Sequence, residues 1–591
     1  MVISAAITFF NLGNTHYPKS AFHGEINQPV ILVFNQTMPF DAVVYLNGEN
    51  VDQGFEVYSF IGDDNEWQLC HEELTEKALS WTWFDLGVSS QVLMIKPTTA
   101  DLSILEMSFI SGRYLVSPQS VSNPEAEALF DEQELVSKYR LYNEIMFFDE
   151  ELHALTAYDF IHGMPPVELT HPPLGKSIIA IGIRLFGMTP FGWRFMCAMF
   201  GVLLIVPLYA LAKLMFDSQW LAFFATFVFS FDFMRFVQSR VATLDIFLVT
   251  FIICMYLFMY KYMQTDPVDR LSRKALFYLG ASGVFMGIAI AVKWSAAFAG
   301  LGLGALFVLA WHDAVPHYAG AITKQGANDH ASKPAHKTDQ TTEHASKPVH
   351  KTDRANEHSF IRALKTDKAN EYSFKKDLAF TVQFCVIFFG IVPIAIYFLS
   401  YIPFARASGM PWLESIFHNQ VEIFSHHAFL HGTHEFQSSW WQWPFDIRPV
   451  QYFATPMPDG SAGAINAFGS PALIWGGLLA LVWCVKRCFW DKDQTARFLC
   501  IAWVAQILPW VFITRFAFIY HYFPCVPFLA LMVAYFIKTR PQPHQWRYAL
   551  AFGALVIIMF VVFFPVLYGM PISNHEYISR LQWLPGWRFI D

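Results

Sequence analysis

Ten stretches of this chain are apolar for long enough, or nearly so, to cross a lipid bilayer. Nothing else in the sequence limits the fold as strongly. A hydrocarbon core about 30 Å thick needs about 20 apolar residues per helix. Runs near 194–216, 220–234, 241–262, 275–292, 295–311, 378–402, 469–487, 497–514, 519–538 and 546–568 meet or approach that length. The first ten residues, MVISAAITFF, are apolar but only half as long. A half-span would leave backbone polar groups unpaired in lipid, so the expectation is a chain that begins inside a first helix, for 11 spans in all. Composition agrees: 54% of the 591 residues are hydrophobic and 15% are charged, against about 25% charged in a soluble domain. A soluble multidomain enzyme and a disordered or fibrous chain are therefore excluded. The net charge of −8 argues against nucleic acid, which selects for basic surfaces. The eight Cys are scattered and give no disulfide framework. Cys484 and Cys488 have no third or fourth ligand nearby for zinc.

Lys and Arg near the span ends set the orientation. Lys213, then Lys261, Arg270, Arg273 and Lys274, then the 313–377 loop, then Lys486, Arg487, Lys492 and Arg497, then Lys538, Arg540 and Arg547 all fall on one side when 11 spans alternate. That side reads as cytoplasmic. The segment 11–190 then lies outside, with 25 Asp/Glu against 8 Lys/Arg, as do the loop 403–468 and the tail 569–591. The reading is a multi-pass membrane protein whose working face is extracytoplasmic.

The polar parts divide by pattern. Residues 11–115 carry short β-branched and aromatic runs at 30–34, 42–46, 56–60, 81–84, 92–96 and 102–110, separated by turn clusters such as NGEN (47–50) and GDDN (62–65). This predicts an extracytoplasmic β-sandwich. Trp67, Trp81 and Trp83 either fill its core or stack on a sugar ring. Residues 116–190 form an outer loop, 191–312 and 378–568 the helices, and 1–10 the remnant of the first. Within 313–377, HASKPAHKTDQTTE (330–343), HASKPVHKTDRANE (344–357) and HSFIRALKTDKANE (358–371) repeat with a period of 14. That composition is too polar to bury a core and predicts a disordered cytoplasmic tether.

Residues suited to chemistry gather on the outer face. Asp149, Glu150 and Glu151 form a carboxylate cluster in FFDEELHALTAYDFIHG, and His171-Pro-Pro-Leu-Gly-Lys176 closes the same loop. RFVQSRVATLD places Arg235, Arg240 and Asp245 where two apolar runs meet. Ionisable groups at membrane depth are costly and mark a pathway or site, although Arg240 and Asp245 could simply pair with each other. Lys293 and Trp294 end the fifth span, 275–292. His426, His427, His434, Trp440, Trp441, Trp443 and Arg448 lie in the 403–468 loop, and Arg515 with YHYF (520–523, including His521) opens the tenth span, 519–538. Singly, each has a plain structural reading: a solvated helix face, a snorkelling cation, an aromatic belt. Together they suit one reaction. A hydroxyl attacking the anomeric carbon of a lipid-phosphate sugar needs one carboxylate base. The phosphate leaving group needs positive charge rather than a second carboxylic acid.

These runs resemble the protein O-mannosyltransferases, in particular the shorter bacterial members. The likeness continues through FGWRFM (191–196), FVQSRVATLD (236–245), AVKWS (291–295), SHHAFLHGTHEFQSSWWQWP (425–444), IRP (447–449), FIYHYFPCVPF (518–528) and GMPIS…YISRLQWLPGW (569–587). It covers about 140–591 outside the repeats. The resemblance implies the C-type glycosyltransferase membrane fold with about 11 transmembrane helices. It implies transfer of mannose from polyprenyl-phosphate mannose to Ser or Thr of translocated proteins, with inversion at C1 and neither metal nor other cofactor. By the same match Asp149 is the base and Glu150 orients acceptor or sugar. Arg240, His171 and Lys176 fall on matching motifs. With Asp245, Lys293, His427, His434, Trp441, Arg448, Arg515 and His521, they are the residues expected around substrate and lipid phosphate. The implied partners are the lipid-linked donor, a secreted Ser/Thr protein, membrane lipids and the protein-translocation machinery.

The chain departs from the family pattern in three ways. The 403–468 loop is too short for the β-trefoil of eukaryotic members. Thr433-His434-Glu435 stands where Pro usually follows the His. The β-region 11–115 is inserted before the carboxylates, and its start, NLGNTHYPKS (11–20), looks like a galactose-binding-like sandwich that would bind glycan or cell wall. Other readings remain: a same-fold transferase using another lipid-linked sugar or a wall-polymer acceptor, a transporter, or a non-catalytic glycan-binding protein. A transporter would show paired inverted repeats and polar groups at mid-depth. Here the polar residues sit at one surface.

Overall fold

The computed structural model describes residues 1–49, 52–61, 66–75, 79–100, 102–331, 374–430, 432–457, 460–573 and 575–590. Among the described residues nine helices are long and apolar enough to cross a membrane: Pro190–Phe216, Asp245–Met263, Arg273–Val292, Ala296–Pro316, Phe374–Ser408, Pro471–Phe489, Gln494–Phe512, Ile519–Lys538 and His544–Tyr568. Each overlaps an expected run. The remaining expected run, 220–234, becomes a shorter apolar helix at Gln219–Ser230. It breaks because Asp232 leaves the helix to cap the next one, accepting a hydrogen bond from the Arg235 backbone N–H. The first residues form α1, Val2–Phe9. Helix Ala296–Ala331 runs past the expected boundary at 313, and another helix begins at Phe374. Most of the repeat region lies outside the described residues.

The membrane core is aromatic and dense. Ile519–Lys538 is the central helix, almost wholly buried by its neighbours. The others face lipid on one side, as their exposed Phe, Leu and Val show. Small residues let helices approach closely. Gly302, for example, lies where an added Cβ would meet the Tyr256 hydroxyl at 2.2 Å.

The polar region before the carboxylates is one curled antiparallel sheet rather than the expected two-sheet sandwich. Its strands are β1 Phe22–Gly24, β2 Val30–Asn47, β3 Gln53–Ile61, β4 Glu66–Thr75, β5 Trp81–Pro97, β6 Leu102–Ser111, β7 Tyr114–Val116 and β8 Ser120–Val121. The order is β1-β6-β2-β5-β3-β4, with β7 on β6 and β8 on β2. The runs 30–34 and 42–46 are a single bent strand, as are 81–84 and 92–96. The polar stretches between them look like turns in sequence. Instead they absorb register shifts between Val33 and Met38 and between Phe40 and Ala42, which let long strands curl around one core of Phe, Val and Leu. Trp81 is 7% exposed and belongs to a second apolar cluster, with Trp83 packed against it. The Arg140 guanidinium sits 5.6 Å from the Trp83 ring. These two tryptophans are packing residues, not a sugar platform.

Candidate active site

The site is organised by a turn that precedes α2, Glu150–His162. Phe148 has a φ of 56°, costly for a bulky side chain. Its ring is held by stacking on Tyr452 at 3.9 Å and by an edge contact with Tyr520 at 6.0 Å. That turn sends the next two carboxylates in different directions.

Asp149 is the N-terminal cap position of α2, yet its side chain accepts no capping hydrogen bond. It stays half-buried and available. Burial pushes its carboxyl from the usual range up to about 7, and Asp245 and Glu168 add to the rise. The Lys293 ammonium opposes it.

Glu150 goes the other way. Its side chain and that of Arg194 are both 0% exposed. Arg194 donates through Nε at 2.7 Å and Nη2 at 2.6 Å to the two Glu150 oxygens, and the Ala242 N–H donates at 2.9 Å. Arg194 also donates to the carbonyls of Leu12, Tyr142 and Ile145. Glu150, expected to orient acceptor or sugar, is held in a buried clamp that joins the segment after α1, the outer loop and the helix Pro190–Phe216.

Three further expectations change in the same way. Arg240 donates to the carbonyls of Thr8, Phe10 and Asn11 and lies 4.6 Å from the Tyr568 ring. It fastens the end of α1. Asp245 pairs with Lys293 at 2.9 and 3.2 Å, not with Arg240. Lys176 is fully buried against the Glu168 carboxylate and donates to the carbonyls of Glu168 and His171 at 3.1 and 2.9 Å. Burial alone would raise the Glu168 carboxyl, but Lys176 and His171 hold it well below the usual carboxylate range. Glu168 also meets His171 Nδ1 at 3.0 Å, so the Pro-Pro loop is tied from inside.

Five expected residues do converge. His171, Lys293, His427, Arg515 and His521 line one cavity of about 410 Å³, floored by Trp294, Phe298 and Trp510. Arg515, Trp510 and Ile513 are shared with a second, more polar cavity of about 380 Å³ that contains Arg448, Ser438, Ser439 and Gln442. Among the described residues neither Arg515 nor Arg448 has an ion-pair partner. Burial lowers the His171 imidazole and pushes that of His427 down to about 3. Both rings are therefore neutral at ordinary pH and act as hydrogen-bonding groups, which leaves positive charge to Lys293, Arg515 and Arg448. His434 stacks on Phe516 and meets Phe518 edge-on, and Trp441 is 51% exposed. Neither lines these cavities.

Arg194, Glu168, His153 and Tyr452 were not anticipated. Arg194 was findable as an ionisable residue at the start of an apolar run, a costly place for a charge. Glu168 had only its spacing from His171 and Lys176. His153, one turn along α2, is buried with no partner for Nδ1 among the described residues, and its ring lies 5.8 Å from that of His171. Tyr452 accepts from Gln238 Nε2 at 2.8 Å, a contact between residues 214 positions apart. The described residues hold one carboxylate group close enough for a metal ion, Glu106, Asp131 and Glu132 in the sheet region. Glu106 there already accepts from the Glu132 N–H and from Gln133.

Residues 185–317 match the sequence model of the dolichyl-phosphate-mannose-protein mannosyltransferase family, and residues 412–587 match that of the C-terminal four-transmembrane region of protein O-mannosyltransferase. The chain is 25% identical over 503 positions to the polyprenol-phosphate-mannose–protein mannosyltransferase of Mycolicibacterium smegmatis, spanning 75% of this chain and 87% of that protein. It is 26% identical over 488 positions to the enzyme of the same name from Corynebacterium glutamicum, spanning 75% and 88%. Among solved structures, the protein O-mannosyltransferase Pmt1–Pmt2 complex of S. cerevisiae bound to the sugar donor superposes with a TM-score of 0.56 at 13% identity, over 75% of this chain and 89% of that one. The fold is the same.

Proposed function

This chain belongs to the protein O-mannosyltransferase family, and from that premise we propose that Asp149 is the base with which it moves mannose from a polyprenyl-phosphate mannose to Ser or Thr hydroxyls of proteins. It is a multi-pass membrane glycosyltransferase of the C-type fold. One observation carries the assignment of the base: Asp149 is the half-buried, uncapped carboxylate beside the Lys293–Asp245 pair, with its pKa brought to about 7, while Glu150 next to it is consumed by Arg194.

The mechanism follows from that geometry. The acceptor hydroxyl donates its proton to Asp149, and its oxygen attacks C1 of the sugar. The bond from C1 to the phosphate oxygen breaks, and its electron pair leaves with the lipid phosphate. A base poised near working pH is deprotonated often enough to act and basic enough to pull, and such catalysis is worth about 10²–10⁴-fold. Lys293, Arg515 and Arg448 supply cationic donors for the phosphate. Neutral His171 and His427 offer hydrogen bonds without competing charge. One displacement by one base inverts the anomeric carbon.

The Lys- and Arg-rich loops lie at the opposite ends of the spans, which supports an active site on the extracytoplasmic face of a bacterial plasma membrane. Acceptors would then meet the enzyme as they leave the translocation machinery. The test supplies membranes containing this chain with radiolabelled polyprenyl-phosphate mannose and a Ser/Thr-rich peptide. α-Linked label in the peptide is expected if the donor is β-linked. Consumption of a different lipid-linked sugar would keep the mechanism and replace the substrate.

A further inference from the structure

The curled sheet holds a second cavity system, remote in sequence from the residues of the transfer site. Where β2 shifts register between Val33 and Met38, it parts from β5. The gap opens a groove of about 830 Å³ lined by Thr37 of β2, Ser59–Ile61 of β3, Gln68–Cys70 of β4 and Gly87–Val92 of β5. Ligand pockets in proteins run from about 300 to 1,000 Å³.

Its chemistry is selective. Thr37 and Ser89 bring hydroxyls, and Gln68 and Gln91 bring carboxamides, while Ser59 and Ser90 are buried in the wall and Ser90 is tied to Val92. Each of these groups both donates and accepts hydrogen bonds. Phe60, Leu69 and Val88 add apolar surface, with the Phe60 ring braced edge-on by Trp67 at 5.3 Å. Among the described residues no ionisable acid or base lines the groove. Gly87 has a φ of +63° and open space where a Cβ would stand, so a ligand can approach the backbone there. Among the described lining residues an anionic phosphate or a charged peptide finds no counter-charge. A ring with hydroxyls around its edge and C–H groups on its faces finds both its partners.

We propose that this groove is a binding site for a neutral, hydroxyl-rich ligand, a glycosyl group. The lining argues for that chemistry whatever the transfer reaction is. That the glycosyl group is carried on the enzyme's own glycosylated product rests on the function proposed above, and a free glycan is the other source. A product-binding domain on the same chain would keep a modified polypeptide near the transfer site and raise its effective concentration for a second modification.

Cys70 provides the readout. It is a partly exposed thiol on the groove wall, whereas the other seven Cys lie within membrane-crossing helices. The full-length protein in nanodiscs is treated with a membrane-impermeant maleimide in the presence of a mannosylated Ser/Thr peptide, the same peptide unmodified, or a free manno-oligosaccharide. A ligand present at ten times its dissociation constant slows labelling of Cys70 about tenfold. Protection by both sugar-bearing probes, or by the mannosyl peptide alone, is expected, and the second pattern identifies the product as the source. Gln68→Ala with Ser89→Ala, both on the exposed rim, removes the protection. Equal protection by the unmodified peptide, or none by any probe, overturns the proposal. An Asp149→Asn chain shows the same protection as wild type, so failure of transfer and failure of binding read out separately.

Discussion

Replacing Glu150 by Ala leaves the Arg194 guanidinium fully buried with its charge unpaired. In the native protein the Glu150 oxygens accept from Arg194 Nε at 2.7 Å, from Nη2 at 2.6 Å and from the Ala242 N–H at 2.9 Å. Removing one member of a buried ion pair costs about 3–5 kcal/mol. Glu150→Gln keeps the shape and an acceptor oxygen but loses the charge, and costs about 1.5–3 kcal/mol, the worth of a charged hydrogen bond. Arg194→Ala is the worst of the three. It strands the buried Glu150 carboxylate and also the carbonyls of Leu12, Tyr142 and Ile145, each worth about 1–3 kcal/mol when left without a donor. The order of loss is therefore Glu150→Gln, then Glu150→Ala, then Arg194→Ala. Thermal unfolding of the purified protein in micelles measures it, alongside transfer kinetics. The clamp sets the turn that carries Asp149, so kcat falls while KM for the acceptor stays put. A Glu150→Ala protein as stable as wild type, with a raised acceptor KM, would refute the clamp and return Glu150 to the substrate.

Other expectations follow from the same contacts. Asp149 works only when deprotonated and its pKa is raised to about 7, so kcat/KM climbs with pH through neutrality. Lys293→Met removes the cation that opposes the rise and moves this limb to higher pH; a profile flat across neutral pH contradicts both statements. Glu168 has a lowered carboxyl pKa, so its contribution to stability is complete above the unfolded carboxylate's pKa and is lost only as pH falls through its own depressed value. In Lys176→Met acid unfolding, followed by tryptophan fluorescence, therefore begins at a higher pH than in wild type. Arg240→Ala frees the carbonyls of Thr8, Phe10 and Asn11; it lowers the unfolding temperature and leaves the donor KM unchanged, whereas a phosphate-binding Arg would raise that KM.

The helical half of the fold was legible because lipid demands long apolar runs, and long runs survive any error at their ends. Gln219–Ser230 was overextended because an aspartate cap inside an apolar stretch does not look like a boundary. The sheet was harder. Polar residues 35–41 resemble a turn, but they lie within a strand whose register shifts, and β4 with its sequence EWQLCHEELT lacks the β-branched pattern that flags a strand. At the site, charge at the membrane edge singled out Asp149, Lys293 and Arg515 as candidates. It did not separate residues that face substrate from residues that hold the scaffold. Arg240, Lys176 and Glu150 carry the same residue types as a phosphate or sugar site, and only their partners reveal that they bind the protein's own backbone and charges. Those partners lie up to 232 positions away, beyond any local pattern.

Single-turnover transfer by Asp149→Asn tests the central claim most directly. The variant removes the base and keeps the shape of the side chain, and the neighbouring Lys293–Asp245 and Arg194–Glu150 pairs are untouched. The account predicts a normally folded protein that still binds the lipid-linked donor, with transfer to peptide slowed about 10²–10⁴-fold and no recovery at higher pH. Transfer at the wild-type rate, with the wild-type pH profile, would contradict it.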